Sequence, residues 1–99
     1  MFFFTRKATL RNVADLPAVI GWAVELNGYV NKTYNMHLKA GLELFGTPTV
    51  HWQLETDSLD KITALNQKLL QDKAYIAFLE KAKPYWMDGT LKDEIVQFP

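Results

Sequence analysis

The residues of this chain best suited to chemistry are two histidines, His37 and His51, and the carboxylate of Glu43. Read as two alternating stretches joined by a turn, 36–45 and 49–56 put all three side chains on one face. Glu43 then stands opposite His51. A histidine held by a carboxylate is the arrangement of a general base poised near neutral pH. Two histidines and a glutamate could also ligate a metal, but this spacing is not a ligand motif, and His37 lies far along the hairpin from His51. No metal or cofactor is therefore expected. The plain alternative is that these are polar contacts within a subunit interface.

A second group is aromatic. Trp22 and Tyr29 lie seven residues apart at one edge of a helical stripe, and Tyr85 and Trp86 sit in a loop before the last strand. Together they could line a pocket for an aromatic molecule. Half-buried core edge is the ordinary reading of the same four residues. Lys39, Gln53 and Glu55 share the histidine-bearing face and are candidates for ligand contact. Lys39 with Glu55 is most simply a cross-strand ion pair. Nucleophile elbows, P-loops and dinucleotide glycine fingerprints are absent, and Ser58, the only serine, suits a helix cap.

The elements that must carry these groups follow from periodicity. Phe2 to Leu10 reads as a strand. Asn12 or Asp15 caps a helix running from about Asp15 to Thr33, with Leu16, Val19, Ile20, Ala23, Leu26, Val30 and Tyr34 on one stripe. Asn27 falls inside this apolar arc and must find a hydrogen bond if buried. Met36 to Phe45 and Thr49 to Thr56 alternate as two strands around Gly46-Thr47-Pro48. An odd-length turn pairs Phe45 with Thr49, Leu44 with Val50, Leu42 with Trp52 and Ala40 with Leu54. That register puts Glu43 opposite His51 and Lys39 opposite Glu55. A slip by one residue would mix the two faces.

Asp57 or Ser58 caps the next helix, which breaks near Gln71-Asp72 and resumes with Tyr75, Ile76, Phe78 and Leu79 on its packing face. Pro84 stops it, and Thr90 to Phe98 is the last strand. The order βαββαβ predicts an α+β, ferredoxin-like sandwich over residues 1–99, a single domain with two helices on one sheet face. The other face would carry His37, Lys39, Glu43, His51, Gln53 and Glu55, with Phe3 and Phe45 among the charges. Two such faces meeting across a two-fold axis would enclose a barrel-like interior.

Composition agrees with this plan. The 99 residues are 48% apolar and 13% aromatic, enough for one thin core. A domain of this size buries only roughly 60–65% of its unfolded surface, and a second subunit is a common remedy. Eleven basic and eleven acidic side chains leave no net charge, so neither nucleic acid nor an anionic membrane is an expected partner. With no cysteine, disulfides and thiolate chemistry are excluded, which fits a cytoplasmic setting. No apolar run approaches the ~18 residues of a membrane span.

The stretch Glu43-Leu44-Phe45-Gly46, followed by Val50-His51-Trp52, Ser58-Leu59 and Asp72-Lys73-Ala74-Tyr75, resembles small proteins of the dimeric α/β-barrel superfamily. It is most similar to NIPSNAP-like members. The resemblance implies a homodimer, often with a cleft between helices and sheet that takes a small organic molecule. The superfamily holds cofactor-independent monooxygenases, muconolactone-isomerase-like enzymes, haem-handling enzymes and proteins of no assigned role, so it does not select a function. Haem-degrading relatives carry an asparagine on the first helix and a haem-ligating histidine on the second. Residues 59–83 here contain no histidine, which removes that ligand. Two functions follow as expectations: a homodimer that binds a small ligand, or a monooxygenase- or isomerase-like enzyme with His51 or His37 as base.

Overall fold

A computed structural model describes residues 1–43 and 45–99. Strand β1 (Phe2–Thr9) leads through a 3-10 turn (Val13–Asp15) into helix α1 (Leu16–Tyr34). Strands β2 (Lys39–Leu42) and β3 (Thr49–Thr56) follow, then helices α2 (Leu59–Leu70) and α3 (Lys73–Ala82). A second 3-10 turn (Lys83–Tyr85) precedes strand β4 (Lys92–Gln97). Polar side chains start these elements where the sequence places them. Asn12 accepts from the Ala14 amide at 2.9 Å, Ser58 from Asp60 at 3.2 Å, and Asp72 from Ala74 and Tyr75. Asn35, with φ 52°, ends α1 in the left-handed region.

The sheet runs β2-β3-β1-β4 with every neighbouring pair antiparallel. This is the ferredoxin-like α+β arrangement expected from the element order. Opposed residues share a face, so one face carries Phe4, Arg6 and Ala8 of β1 with Val50, Trp52 and Leu54 of β3. Asp93 and Ile95 of β4 join them. The helices cover this side. Val19, Trp22, Ala23, Leu26 and Val30 of α1 are buried with Ala8, Leu10, Val50 and Trp52 in one cluster. Ile20, expected on the stripe, is 41% exposed.

The hairpin register differs from the expected one by two residues. Lys39 pairs with Gln53, Ala40 with Trp52, Gly41 with His51 and Leu42 with Val50. An even shift preserves which face each side chain takes, so alternation alone could not detect it. The Glu43 amide donates to the Thr49 carbonyl at 3.0 Å, which leaves five residues in the connection where three were expected. Gly46 takes φ 89° within it, and the Pro48 carbonyl accepts from Leu10 of the β1 end. Phe45 is therefore an exposed loop residue and not part of the sheet face. Lys39 and Glu55 are not directly opposed, because Lys39 stands opposite Gln53. Leu44, expected opposite Val50, lies outside the described residues.

Strand β2 is also shorter than the alternation implied. Leu38 gives its amide to Asn31 Oδ1 at 2.8 Å, and its carbonyl accepts from Asn31 at 3.0 Å and Asn27 at 2.7 Å. Side chains of α1 thus occupy both main-chain groups of Leu38. This explains the asparagine within the apolar arc of α1.

Helix α3 is tied to α1 by a shared carboxylate. Tyr29 and Tyr34 each donate a hydroxyl to Asp72 Oδ2 at 2.5 Å, while Oδ1 caps α3. These bonds hold Asp72 below the usual carboxylate range and push Tyr34 up to about 12. Among the described residues no helix is long and apolar enough to cross a membrane.

The shifts define a pH window for this tie. A depressed Asp72 contributes stability above its unfolded value, about 4, and loses it as pH falls through the folded value. A raised Tyr34 contributes below its unfolded value, about 10, and loses it as pH climbs through about 12. The stability advantage of the natural chain over a Tyr29→Phe/Tyr34→Phe variant should therefore form a plateau between these limits and shrink outside them. Urea unfolding across pH reads this directly. A constant advantage from acid to alkali would contradict the assignment.

Candidate functional site

The helix-covered side of the sheet does not close completely. Over its β1–β4 half lies a cavity of about 680 Å³. Phe4, Arg6, Trp52, Leu54, Asp93 and Ile95 form its floor, and Trp22, Leu26 and Val30 bring in α1. Ile62, Leu65 and Leu69 of α2 and Tyr75 and Leu79 of α3 complete the far wall. Trp86 and the turn through Gly89 border the mouth.

All three tryptophans of the chain meet here. Trp22 and Trp52 approach edge to face at 6.0 Å between ring centres, Trp22 and Trp86 at 5.5 Å, and Trp52 and Trp86 at 6.0 Å. Such edge-on pairs are each worth about 0.5–1.5 kcal/mol beyond burial. The main chain holds Trp86 in place. Its carbonyl accepts from Arg11 Nε at 2.7 Å, and Arg11 also pairs with Asp88 at 3.2 Å. The Trp22 indole donates to the Phe78 carbonyl at 2.9 Å. The Trp52 indole nitrogen is buried with no acceptor among the described residues.

One ion pair interrupts the apolar floor. Arg6 forms a two-pronged contact with Asp93, at 2.7 and 2.9 Å, across adjacent strands. Its guanidinium also sits 5.7 Å from the centre of the Phe4 ring. The bond to Asp93 raises the Arg6 pKa still further, so the guanidinium stays charged. Burial pushes the Tyr75 hydroxyl up, against the opposing pull of Arg6 nearby.

The expected site residues divide between two places. Trp22 and Trp86 line the cavity. Tyr85 packs half-buried against the core beside Trp86. Tyr29 lies against Phe78 at 5.7 Å and is committed to Asp72. Lys39, Gln53, Glu55 and His51 stand on the opposite, uncovered sheet face with Phe3, Thr5 and Lys7. His51 Nε2 and Glu43 Oε1 are 2.9 Å apart, joined diagonally across the hairpin rather than directly opposite. His37 is exposed ahead of β2 and is not brought to them.

Sequence reasoning missed Trp52, Arg6, Tyr75 and Asp93. Trp52 read as one more core residue on an apolar face. Arg6 carried a signal that went unused: it is in phase with Phe2, Phe4 and Ala8, so a charge had to enter the covered side.

No family model and no curated protein matches the sequence. Solved structures do match the fold. A NIPSNAP family protein of unknown function from Agrobacterium tumefaciens is 19% identical, with a TM-score of 0.81 over 97% of this chain and 86% of that one. A protein provisionally named an antibiotic biosynthesis monooxygenase, from Deinococcus radiodurans, is 10% identical, with a TM-score of 0.70 over 100% and 93%. A dimeric protein of unknown function and ferredoxin-like fold from Bacteroides fragilis is 13% identical, with a TM-score of 0.72 over 98% and 95%.

The α2 wall is the weakest held. Leu69 is the only buried residue of α2, whereas α3 buries Tyr75 and Ala82 and is bonded to α1 at both Asp72 and Phe78. Local opening tracks such differences. Amides of 59–70 should exchange about tenfold faster than those of 73–82, equivalent to about 1.4 kcal/mol in the free energy of local opening. Equal protection of the two helices in a hydrogen-exchange experiment would refute this. At identities this low the likeness is one of fold, and the chain has the ferredoxin-like α+β fold of NIPSNAP family proteins and their monooxygenase-named neighbours.

Proposed function

We propose that this protein is a homodimer that binds a small, largely apolar organic molecule in the cleft between helices and sheet, without a cofactor. The observation that carries this reading is the cavity of about 680 Å³ into which the whole tryptophan complement of the chain is gathered. Its volume falls within the roughly 300–1,000 Å³ of ligand pockets. Its lining is largely apolar, and a ligand that fills it takes that surface out of water. Trp22 and Trp86 would touch the ligand, with Tyr85 and Tyr29 supporting the walls.

The uncovered sheet face supports the dimer. It carries Phe3 and Val96, the latter 47% exposed, among Lys39, His51, Gln53 and Glu55, and no helix lies over it. A neighbour of the same fold is described as dimeric. In this reading Lys39, Gln53 and Glu55 belong to the subunit interface or to ligand contact within it.

A second reading rests on the His51–Glu43 contact at 2.9 Å. A histidine so held could serve as the base of a monooxygenase- or isomerase-like enzyme. It lies across the sheet from the tryptophan cavity, so its substrate would have to sit between two sheets and not in the cleft.

Two measurements test these proposals. Sedimentation at micromolar concentration should give twice the monomer mass, and a stable monomer would end the dimer. Because every tryptophan borders the cavity, intrinsic fluorescence should shift when an apolar aromatic compound saturates it. Unchanged emission across a screen of such compounds would end the cleft reading. Should a turnover be found, His51→Ala would abolish it under the second reading, and unchanged turnover would remove His51 from the mechanism.

A further inference from the structure

Strand β2 lies at one edge of the sheet, so half of its main-chain groups face away from β3. One bond fixes which half. The Glu43 amide donates inward to the Thr49 carbonyl, in line with the pairing of Leu42 with Val50. Alternation then turns Gly41 and Lys39 inward as well, and Leu38, Ala40 and Leu42 outward. Leu38 keeps this phase, since Asn27 and Asn31 of α1 take its carbonyl and amide. Beyond that cap, Ala40 and Leu42 each present an amide and a carbonyl at the sheet's open edge.

Such an edge is a template for another strand, and the sequence of β2 is complementary to itself. Laid antiparallel on a second copy about a two-fold axis at Gly41, the run Lys39-Ala40-Gly41-Leu42-Glu43 sets Ala40 opposite the second copy's Leu42. Every outward amide and carbonyl of these residues then finds a partner. Lys39 stands opposite the second copy's Glu43, at a non-hydrogen-bonded position where side chains approach most closely. Lys39 is exposed and enters no salt bridge among the described residues. Glu43 meets His51 through Oε1 and keeps its other oxygen. A slide of two residues in one direction would need the groups of Leu38 that α1 already holds, and in either direction it parts the charges.

The helix-covered side agrees. A groove of about 180 Å³ between α1 and β2 is lined by Ile20, Val24, Ala40 and Leu42, with Ile20 41% and Val24 66% exposed. The second copy's Leu42, arriving beside Ala40, falls on the groove's side of the sheet and takes apolar surface out of water.

We propose that the β2 edge is a docking surface for the β2 edge of a second copy, in the register centred on Gly41. The contact leaves the uncovered sheet face open and is independent of the dimer proposed above. Strands this short bury little area, so the association is weak, with a Kd of about 0.1–1 mM. It adds to assembly at high concentration and does not set the mass at micromolar concentration.

The chain has no cysteine, and a Cβ at Gly41 meets nothing within 4 Å, so Gly41→Cys puts one thiol at the axis. Opposed residues at such a position lie within the span of a disulfide. Under mild oxidation at about 0.1 mM protein, Gly41→Cys should form a linked pair at least about tenfold faster than Lys68→Cys, an exposed control on α2. Adding Lys39→Glu should slow the linkage about tenfold, and adding Glu43→Lys to that should restore it. Ala40→Pro removes an outward amide and no bond to β3. In sedimentation at about 1 mM the natural chain should therefore have an average mass at least about 1.5-fold that of Ala40→Pro. Equal linkage of the two cysteines, no restoration by the second charge change, or equal masses would each overturn the proposal. If Ala40→Pro does not fold, the cysteine comparison decides. Both comparisons hold concentration fixed, so they read the edge whether the species at micromolar concentration is a dimer or a monomer.

Discussion

The packing of α1 on the β3–β1 half of the sheet is the contact on which the remaining structure leans. Val19, Trp22, Ala23, Leu26 and Val30 settle onto Ala8, Val50 and Trp52, and these make up most of the buried core cluster. Each large apolar side chain so buried is worth about 1.5–3 kcal/mol, well above the ~0.2–1 kcal/mol of an exposed ion pair. From this seat α1 organises its neighbours with polar side chains. Asn27 and Asn31 take Leu38 and thereby decide where β2 begins, and Trp22, Tyr29 and Tyr34 reach across to α3.

The other half of the covered face is built differently. Helices α2 and α3 span the β1–β4 side, but α3 is held by bonds to α1 and α2 by little beyond Leu69. The space between them and the strands is left open. Arg6 and Asp93 lie within this region, where their pairing satisfies two charges that a sealed core would have had to desolvate completely. The incomplete core and the candidate site are thus the same feature. A small domain has too few helices to cover four strands evenly, and the shortfall falls where only α2 and α3 are available.

The sheet itself separates two chemistries. Alternation sends Trp52 to the cavity and its neighbours His51 and Gln53 to the uncovered face. A ligand in the tryptophan cleft would therefore meet aromatic rings and the Arg6–Asp93 pair, and never the histidine. Any role for His51 and Glu43 belongs to whatever meets the other face.

Local pattern determined a good deal by itself. Periodicity located the helices and strands and the break between α2 and α3, and residue type put Asn12 and Ser58 among the candidate caps, because these depend on neighbours in the chain; that Asp72 caps α3 came from the structure. Alternation assigned each strand residue to its face, since a period of two is a property of the strand alone. The hairpin register escaped it for the same reason: a two-residue slide keeps every face, and only the length of the connection and its tie to Leu10 select among the allowed pairings. The site was legible in part. Trp22 and Trp86 stood out by type, but Trp52 looked like any core residue, and its unmet N–H exists only because strands and helices distant in sequence leave no acceptor beside it. Arg6 and Asp93 are 87 residues apart, and only the pairing of β1 with β4 makes them one group.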